Sequence, residues 1–524
     1  MAARRIRKVL LVSPPGKCHL REDGSLGERK HCTPHLGLAY LAANLLKHDY
    51  EAEILDILAE GYHEERFVEP FILYGLNPQE TLERTRRAAP DMIGISVLFS
   101  NRAKESYELA RMFKRELPDV PIVMGGQHPS GMPMDVMAHR EVDYVLIGEC
   151  DDSFVDLLEA LNGRHSIEQV SGLYYRDNGE VKDTLSHGRP AVVGDGWQYL
   201  SLRDSPNPRQ LGELSFPAWH LFPIAAYWNS EVRIGGGDVM RERFAVMVST
   251  RGCPWTCTFC TSPLMGGFKG YRKRTNEDVV REIRWLIETF GVEEIQFLDD
   301  NFFVSKPRVK SLLRVLAQEF PHIVFSVPAG TEVNALDHEV VDLMAKASFY
   351  KVTLAIEAGD QEVQESRIDK NVKLSRVPEM VDYIRRAGLE TRALFMIGFP
   401  GETRAQIMRT VDLALSLDVD DFYISLCTPL PGTPLYDECV QKGLLEDDFD
   451  VDNLRYSVAN IKLHDVSRAE LESIRRNVWL EYKKRQETKQ VASGIRPFRV
   501  FGGVGDYENA GFRQVPGQVY RTDR

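Results

Sequence analysis

No run in this 524-residue sequence approaches the roughly 18 apolar residues that a membrane-spanning helix requires. The apolar stretch behind the basic N-terminus, Val9-Leu-Leu-Val12, is too short for a signal peptide and stops at Pro14-Pro15. Positive charge is the minority: 65 Lys and Arg stand against 77 Asp and Glu, for a formal net charge of -12. That balance argues against a general nucleic-acid binder, although a local basic pocket would not show in the sum. Cysteines number only eight and form no disulfide framework of the secreted kind. These absences point to a cytoplasmic protein with reduced thiols and neither membrane nor nucleic acid as partner. A G-x-G-x-x-G turn is also missing after the first predicted strand, where Ser13-Pro-Pro-Gly16 stands, which weighs against a nucleotide or flavin site.

The chain is too long for one compact core, so two or three domains are expected. Over the first third, short apolar strands alternate with amphipathic helices. Strands are predicted at Lys8–Val12, Glu51–Ile57, Asp91–Leu98, Pro121–Met124 and Val142–Ile147, with helices such as Leu36–Lys47 and Lys104–Glu116 between them. This α/β pattern over residues 1–185 predicts a doubly wound, Rossmann-like sheet, whose ligands lie beyond the strands' C-terminal ends. A hairpin is expected to turn at Asn178-Gly179. Residues 186–243 lose the rhythm, punctuated by Pro190, Pro206, Pro208 and Gly235-Gly236-Gly237, and read as a linker.

A second alternating series begins at Phe244. Its strands are Phe244–Thr250, Glu294–Leu298, Val324–Val327, Val352–Ile356, Thr391–Ile397 and Asp421–Leu426; the clearest helices are Glu277–Phe290, Arg308–Phe320 and Ala405–Leu417. Six βα units over 244–446 predict a partial (β/α)6 barrel with its working loops at the strands' C-terminal ends. Residues 447–524 form an extension with a helix over Arg468–Lys489 and a glycine-rich piece, Phe501–Gly505.

Three of the cysteines, Cys253, Cys257 and Cys260, lie within eight positions directly after the first strand of this second series. A structural zinc ion normally takes four protein ligands in close pairs, and His220 and Cys427 are isolated. A disulfide has little place in a reducing compartment. A [4Fe–4S] cluster on three thiolates leaves one iron for an external ligand, and the spacing favours it, with zinc as the alternative. Cys150, Cys427 and Cys439 read as small core residues, with Cys427 best placed to face a cavity. Cys18 and Cys32 supply no metal site by their spacing. The run Arg272-Lys273-Arg274 is either a solvated face or the source of one arginine for an anionic ligand.

CxxxCxxC with an aromatic before its last cysteine, here Phe259, is the signature of the radical S-adenosylmethionine (SAM) superfamily, which this sequence resembles. The resemblance implies SAM contacts at Phe259 and at the ends of later strands. Those are Asp299 and Asp300, then Glu357, then Gly398 and Gly401 in Gly398-Phe-Pro-Gly-Glu402. A doubly wound domain ahead of such a barrel resembles the B12-dependent members. With Gly125-Gly-Gln-His-Pro-Ser-Gly131 and Gly148-Glu-Cys-Asp151 at strand ends, it implies cobalamin contacts at Ser13, Ser96, Phe99, Gly125, Gly126, His128, Gly148 and Glu149. The Asp-x-His-x-x-Gly motif that ligates cobalt elsewhere is absent.

Through Cys32-Thr-Pro-His-Leu-Gly-Leu-Ala-Tyr40, Glu60-Gly-Tyr62, Tyr74-Gly-Leu76, Phe99-Ser-Asn101 and Phe216-Pro-Ala-Trp-His220, the chain resembles the cobalamin-dependent radical SAM methyltransferases of phosphonate and phosphinate antibiotic pathways. Pro254-Trp255 departs from the phosphonate members' pattern. The resemblance implies a [4Fe–4S] cluster, SAM and cobalamin carried as methylcobalamin. It also implies a small-molecule substrate and an electron donor such as flavodoxin or ferredoxin. A 5′-deoxyadenosyl radical would take a hydrogen from an unactivated carbon or a phosphinate phosphorus, which would then receive the methyl group. Such hydrogens lack the acidity for a side-chain base near neutral pH, so cofactors carry the reaction. Two alternatives stay open: a B12-dependent cyclase or rearrangement enzyme, and a corrinoid-binding protein with a structural metal site.

Overall fold

In the computed structural model, residues 5–20, 30–185, 192–193, 196–197, 211–230, 239–266, 270–370 and 372–493 are described. The first strand, β1 (Lys8–Ser13), is buried at every position but the first, as a central parallel strand covered on both faces must be. The small strand β2 (Gly16–His19) leaves it at once. Next come β3 (Glu51–Asp56), β4 (Glu65–Val68), β5 (Phe71–Tyr74), β6 (Met92–Ser96), β7 (Ile122–Gly125), β8 (Tyr144–Leu146), β9 (Leu173–Asp177) and β10 (Glu180–Asp183). The main sheet runs β10-β9-β8-β7-β6-β1-β3, parallel from β3 to β8. Counting only parallel strands, the order is the doubly wound 2-1-3-4-5, whose switch point lies between β1 and β6. Ser13 and Ser96 end those two strands.

The predicted hairpin forms β9 and β10, turning at Asn178 and Gly179, both at positive φ. A separate antiparallel sheet, β2-β5-β4, is not foreseen. Its β4 edge is largely solvent-exposed and lacks the apolar alternation that marks a half-buried strand. A short ribbon pairs β11 (Val192–Val193) with β12 (Gly196–Trp197). The runs Gly235–Gly237 and Phe501–Gly505 lie outside the described residues.

The second half holds β13 (Phe244–Met247), β14 (Thr250–Arg251), β15 (Arg272–Lys273), β16 (Glu294–Phe297), β17 (Val324–Ser326), β18 (Lys351–Glu357), β19 (Glu390–Ile397) and β20 (Asp421–Leu426). Six of these are the expected barrel strands. They form two parallel triplets, β13-β16-β17 and β18-β19-β20, joined by single bridges at Phe325–Phe349 and Thr331–Leu354. Pro328 follows β17 and cannot donate to a continuing ladder there. Helices close the units; Asn276–Phe290 is capped by Thr275 at one end and Gly291 at the other, and Arg404–Ser416 opens on a Thr403–Gln406 capping box.

One apolar core runs from Val9 and Leu11 through Trp219 and Tyr227 to Phe244 and Phe297. The described part of the expected linker is therefore packed, and the Tyr227 hydroxyl donates to the buried Asp56 carboxylate at 2.6 Å. The C-terminal helix Arg468–Ser493 lies on β20, with Arg475 donating to the Ile424 carbonyl at 2.8 Å and Tyr482 edge-on to Phe422. No helix among the described residues is long and apolar enough to cross a membrane.

Candidate active site

The cysteine loop leaves the barrel floor at β14 and is held at both ends by one carboxylate. Asp300, beyond the end of β16, accepts from the Gly252 N–H at 2.8 Å and from the Ser262 hydroxyl at 2.7 Å. At Gly252 φ is 77°, and a β-carbon there would come within 2.6 Å of the Gly270 carbonyl oxygen, so only glycine lets the chain turn into the loop. Thr258 N–H donates to Ile368 and its carbonyl accepts from Leu435, fixing the middle of the loop. Cys253, Cys257 and Cys260 are all half-buried. Burial raises all three thiols, Cys257 to about 12 even with the Lys370 ammonium acting against the shift. Such thiols ionise when a cation meets them, as iron would. Asn301 donates to Cys253 Sγ at 3.7 Å, and Ser262 N–H to Cys260 Sγ at 3.5 Å. Among the described residues no three His, Cys, Asp or Glu side chains converge round a single ion.

Above this loop lies a cavity of about 750 Å³, near the upper end of small-molecule sites, between the barrel mouth and the switch point of the first sheet. Ser13, Ser96, Gly125 and Gly148 line it from the strand ends, with Phe99 and Glu149 beside them and Gly126 completing that wall. Gly126 sits at φ 113° and ψ -172°, and a β-carbon would meet the Val97 carbonyl oxygen at 2.7 Å. The wall is therefore backbone where a side chain would intrude, a cradle suited to a large ligand. Gly252, Met265 and Asp300 line the opposite side.

Arg251, next to the cysteine loop, crosses to the first domain. Its guanidinium pairs with Glu149 at 3.0 Å and Asp151 at 2.6 Å and lies over the Tyr40 ring. Burial works against that charge, but Asp151 and Glu149 outweigh it and lift the pKa above its ordinary value. Arg272 reaches the same Glu149. A third wall comes from the extension: Val451–Asn453 is tied to the first domain through Lys17–Asp452 at 2.6 Å and Lys104–Asp450 at 2.8 Å, and Leu454–Ser457 then lines the cavity. Tyr456 exposes 41% of its surface there, and burial and the Cys260 thiol push its phenol up.

Of the eight residues expected round cobalamin, seven line the cavity and His128 does not. His128 is buried, its two ring nitrogens engaged with the Tyr107 hydroxyl at 2.9 Å and the Ser100 hydroxyl at 3.2 Å, and burial pushes it down to about 4. It braces the wall instead of meeting a ligand. Asp299 is corrected likewise: fully buried, it accepts from Ser249 N–H, Ser249 hydroxyl and Thr250 hydroxyl, and so ties the strand end internally. Of the other residues expected to meet SAM, only Asp300 lines the cavity. Phe259 packs on Phe399, Glu357 pairs with Lys370 at 2.9 Å beside Cys257, Gly398 donates to Glu402 at 2.6 Å, and Gly401 abuts Arg367. Arg274 is buried against Asp278 and Glu282 and is no ligand arginine. Cys427 is buried beside Cys439 in an apolar cluster, and it is Cys150 that reaches the cavity.

Sequence reasoning missed His35, which lines the cavity and joins Ser96 at 2.8 Å while capping the helix Leu36–Lys47, and it missed Arg102 and Arg251. Arg251 had a signal, an arginine two residues before the first cysteine. Tyr456 had none, since it lies in irregular chain.

Comparison with known proteins agrees with this layout. The Radical SAM superfamily profile matches residues 247–414, and that of the B12 binding domain matches residues 24–158. A cytidylyl-2-hydroxyethylphosphonate methyltransferase from Streptomyces wedmorensis is 31% identical over 471 residues, covering 86% of this chain and 85% of the relative. An uncharacterised methyltransferase of Pyrococcus horikoshii is 29% identical over 443 residues, covering 84% and 85%. Among solved structures, the radical S-adenosylmethionine methyltransferase TsrM of Kitasatospora setae, with cobalamin and a [4Fe-4S] cluster, superposes with a TM-score of 0.61 at 19% identity, covering 84% of this chain and 76% of that one. The cobalamin-dependent S-adenosylmethionine radical enzyme OxsB gives 0.65 at 15% identity, covering 90% and 66%. These two likenesses show the fold.

Proposed function

We propose that this chain, which belongs to the cobalamin-dependent radical SAM methyltransferase family, methylates an unactivated carbon or a phosphinate phosphorus of a small phosphonate or phosphinate. A cytoplasmic setting, where thiols stay reduced, and an external electron donor of the flavodoxin or ferredoxin kind belong to this reading. The observation that carries it is the juxtaposition, across one cavity, of a three-thiol loop and a glycine-lined switch point. The family's cofactors are a [4Fe–4S] cluster, SAM and cobalamin. When bound, the cluster supplies the electron that cleaves SAM, and cobalamin supplies the methyl group.

The residues fit those groups. Cys253, Cys257 and Cys260 would hold the cluster. Ser13, Ser96, Phe99, Gly125, Gly126, Gly148 and Glu149 would cradle cobalamin, and Phe259, Asp300, Glu357, Gly398 and Gly401 would surround SAM. Asp300 anchors both ends of the cysteine loop and so fixes where its thiols point. The Lys370–Glu357 pair keeps a cation beside Cys257, favouring its thiolate. Arg251, clamped between Glu149 and Asp151, sets the distance between the two domains and helps keep water from the cavity.

The test is anaerobic turnover of cluster-loaded, cobalamin-loaded protein with methyl-labelled SAM and candidate phosphonates and phosphinates. A product heavier by one labelled methyl group is expected. A product that is rearranged or cyclised without added mass would replace this reading with the non-methylating one.

A further inference from the structure

The cations of the cavity wall are not alike. Lys17 is committed to Glu105 at 3.1 Å and Asp452 at 2.6 Å, and Arg251 to Glu149 and Asp151. Arg102 also lines the cavity, half-buried just beyond the end of β6. Among the described residues no carboxylate lies within ion-pairing distance of its guanidinium, which rests 5.9 Å from the Phe99 ring centre. A nearby carboxylate, Asp56, is already bonded to the Tyr227 hydroxyl and the Ala59 N–H. In a chain of net charge -12, a cation left unneutralised in a cavity wall is matched to something that arrives with negative charge.

The second observation concerns what stands beside Arg102. Ser100–Arg102 packs against the Val451–Asn453 turn, which runs directly into Leu454–Ser457. That segment is anchored to the barrel where the Leu426 N–H donates to the Tyr456 carbonyl at 2.7 Å. It carries the Tyr456 ring into the cavity within electrostatic reach of Cys260. A cation and an aromatic wall thus face one space from two different domains, and both lie outside the cysteine loop and the glycine cradle.

We infer that Arg102 and Leu454–Ser457 form the subsite for the methyl acceptor, an anionic phosphonate or phosphinate. The guanidinium holds the acid's oxygens through parallel N–H donors, a geometry matched to a phosphoryl group. Tyr456 walls the reacting end beside the cysteine loop and acts as a positioning residue. The inference rests on the methyl-transfer reading above.

The test uses the full-length protein carrying cluster and cobalamin, with 2-hydroxyethylphosphonate and its neutral dimethyl ester as calorimetric probes. Arg102→Gln is expected to weaken binding of the acid at least about tenfold while leaving the ester unchanged, since one charge-assisted contact is lost. Arg102→Lys recovers part of the loss because it keeps the charge without the fork. Tyr456→Ala is expected to raise the 5′-deoxyadenosine formed per methylated product, and Tyr456→Phe to restore the ratio. Equal affinity of wild type and Arg102→Gln for the acid would overturn the subsite. So would loss of cobalamin absorbance in Arg102→Gln, which would assign the guanidinium to the phosphate of the cofactor. A wild type that methylates a neutral acceptor, with kcat/KM unchanged in Arg102→Gln, sinks the subsite alone. A wild type that neither cleaves SAM nor transfers methyl to any acceptor sinks the methyl-transfer reading with it.

Discussion

On the N-terminal side of the cavity the strand ends present Ser13, Ser96, Gly125 and Gly148, which offer backbone and hydroxyl groups and occupy little room. On the barrel side they present three thiols, Asp300 and the Glu357–Lys370 pair. One wall serves a ligand by withholding side chains and the other by supplying charge and sulfur. The two therefore fail in opposite ways: the first to added bulk, the second to removed groups.

The largest effect is expected on the barrel side. Cys257→Ala should abolish reductive SAM cleavage and lower the iron bound per chain, measured by 5′-deoxyadenosine and iron assays; retained cleavage would refute the cluster assignment. On the opposite wall, Gly126→Val adds bulk where φ is 113° and the carbonyl of Val97 stands 2.7 Å from the new β-carbon. Strained backbone and overpacking together predict a loss of about 2–6 kcal/mol and of corrinoid binding, read by chemical denaturation and cobalamin absorbance. A variant that binds cobalamin normally would remove the cradle argument.

Glu402 gives a smaller, pH-dependent contrast within the barrel. Burial holds its carboxyl up at about 7 against an ordinary 4.5, although the Phe399 and Gly398 N–H groups pull the other way. One carboxyl oxygen, Oε1, is buried without a partner. The folded state binds this proton more tightly than the unfolded chain does. Below about pH 4.5 the group is protonated in both states and costs nothing; the penalty grows as pH rises to about 7 and is constant above, totalling on the order of 3 kcal/mol. Glu402→Gln should therefore gain stability relative to wild type across that window, measured by denaturation at several pH values. A difference that stays flat with pH would show that the carboxyl titrates normally.

The least effect is expected at Lys104, whose pair with Asp450 is about half exposed on both sides. Lys104→Ala should cost no more than about 1 kcal/mol and leave cobalamin bound. A larger loss would mean that the extension is held to the first domain mainly through this contact and not through the buried Lys17–Asp452 pair.

The strands of both domains were readable because buried parallel strands must be nearly continuous apolar runs, as Lys8–Ser13 and Lys351–Glu357 are. The β2-β5-β4 sheet was not readable, since its exposed strands carry no such signal. The glycine turns at Gly125-Gly126 and Gly148 led to the cavity wall because backbone that approaches a ligand closely needs glycine. His128 and Asp299 misled for a common reason. A polar residue near a strand end has the same local signature whether it faces a ligand or, as both do, an internal partner.

Cys253, Cys257 and Cys260 could be recognised in the chain because cluster ligands on one loop need only local spacing, which any reader of the sequence can measure. Arg102 and Tyr456 could not, because their meeting depends on a doubly wound sheet, a barrel and a strap of irregular chain coming to one cavity. Whether a charge is neutralised and whether a ring is walled in are properties of neighbours in space, and folding alone assigns those neighbours.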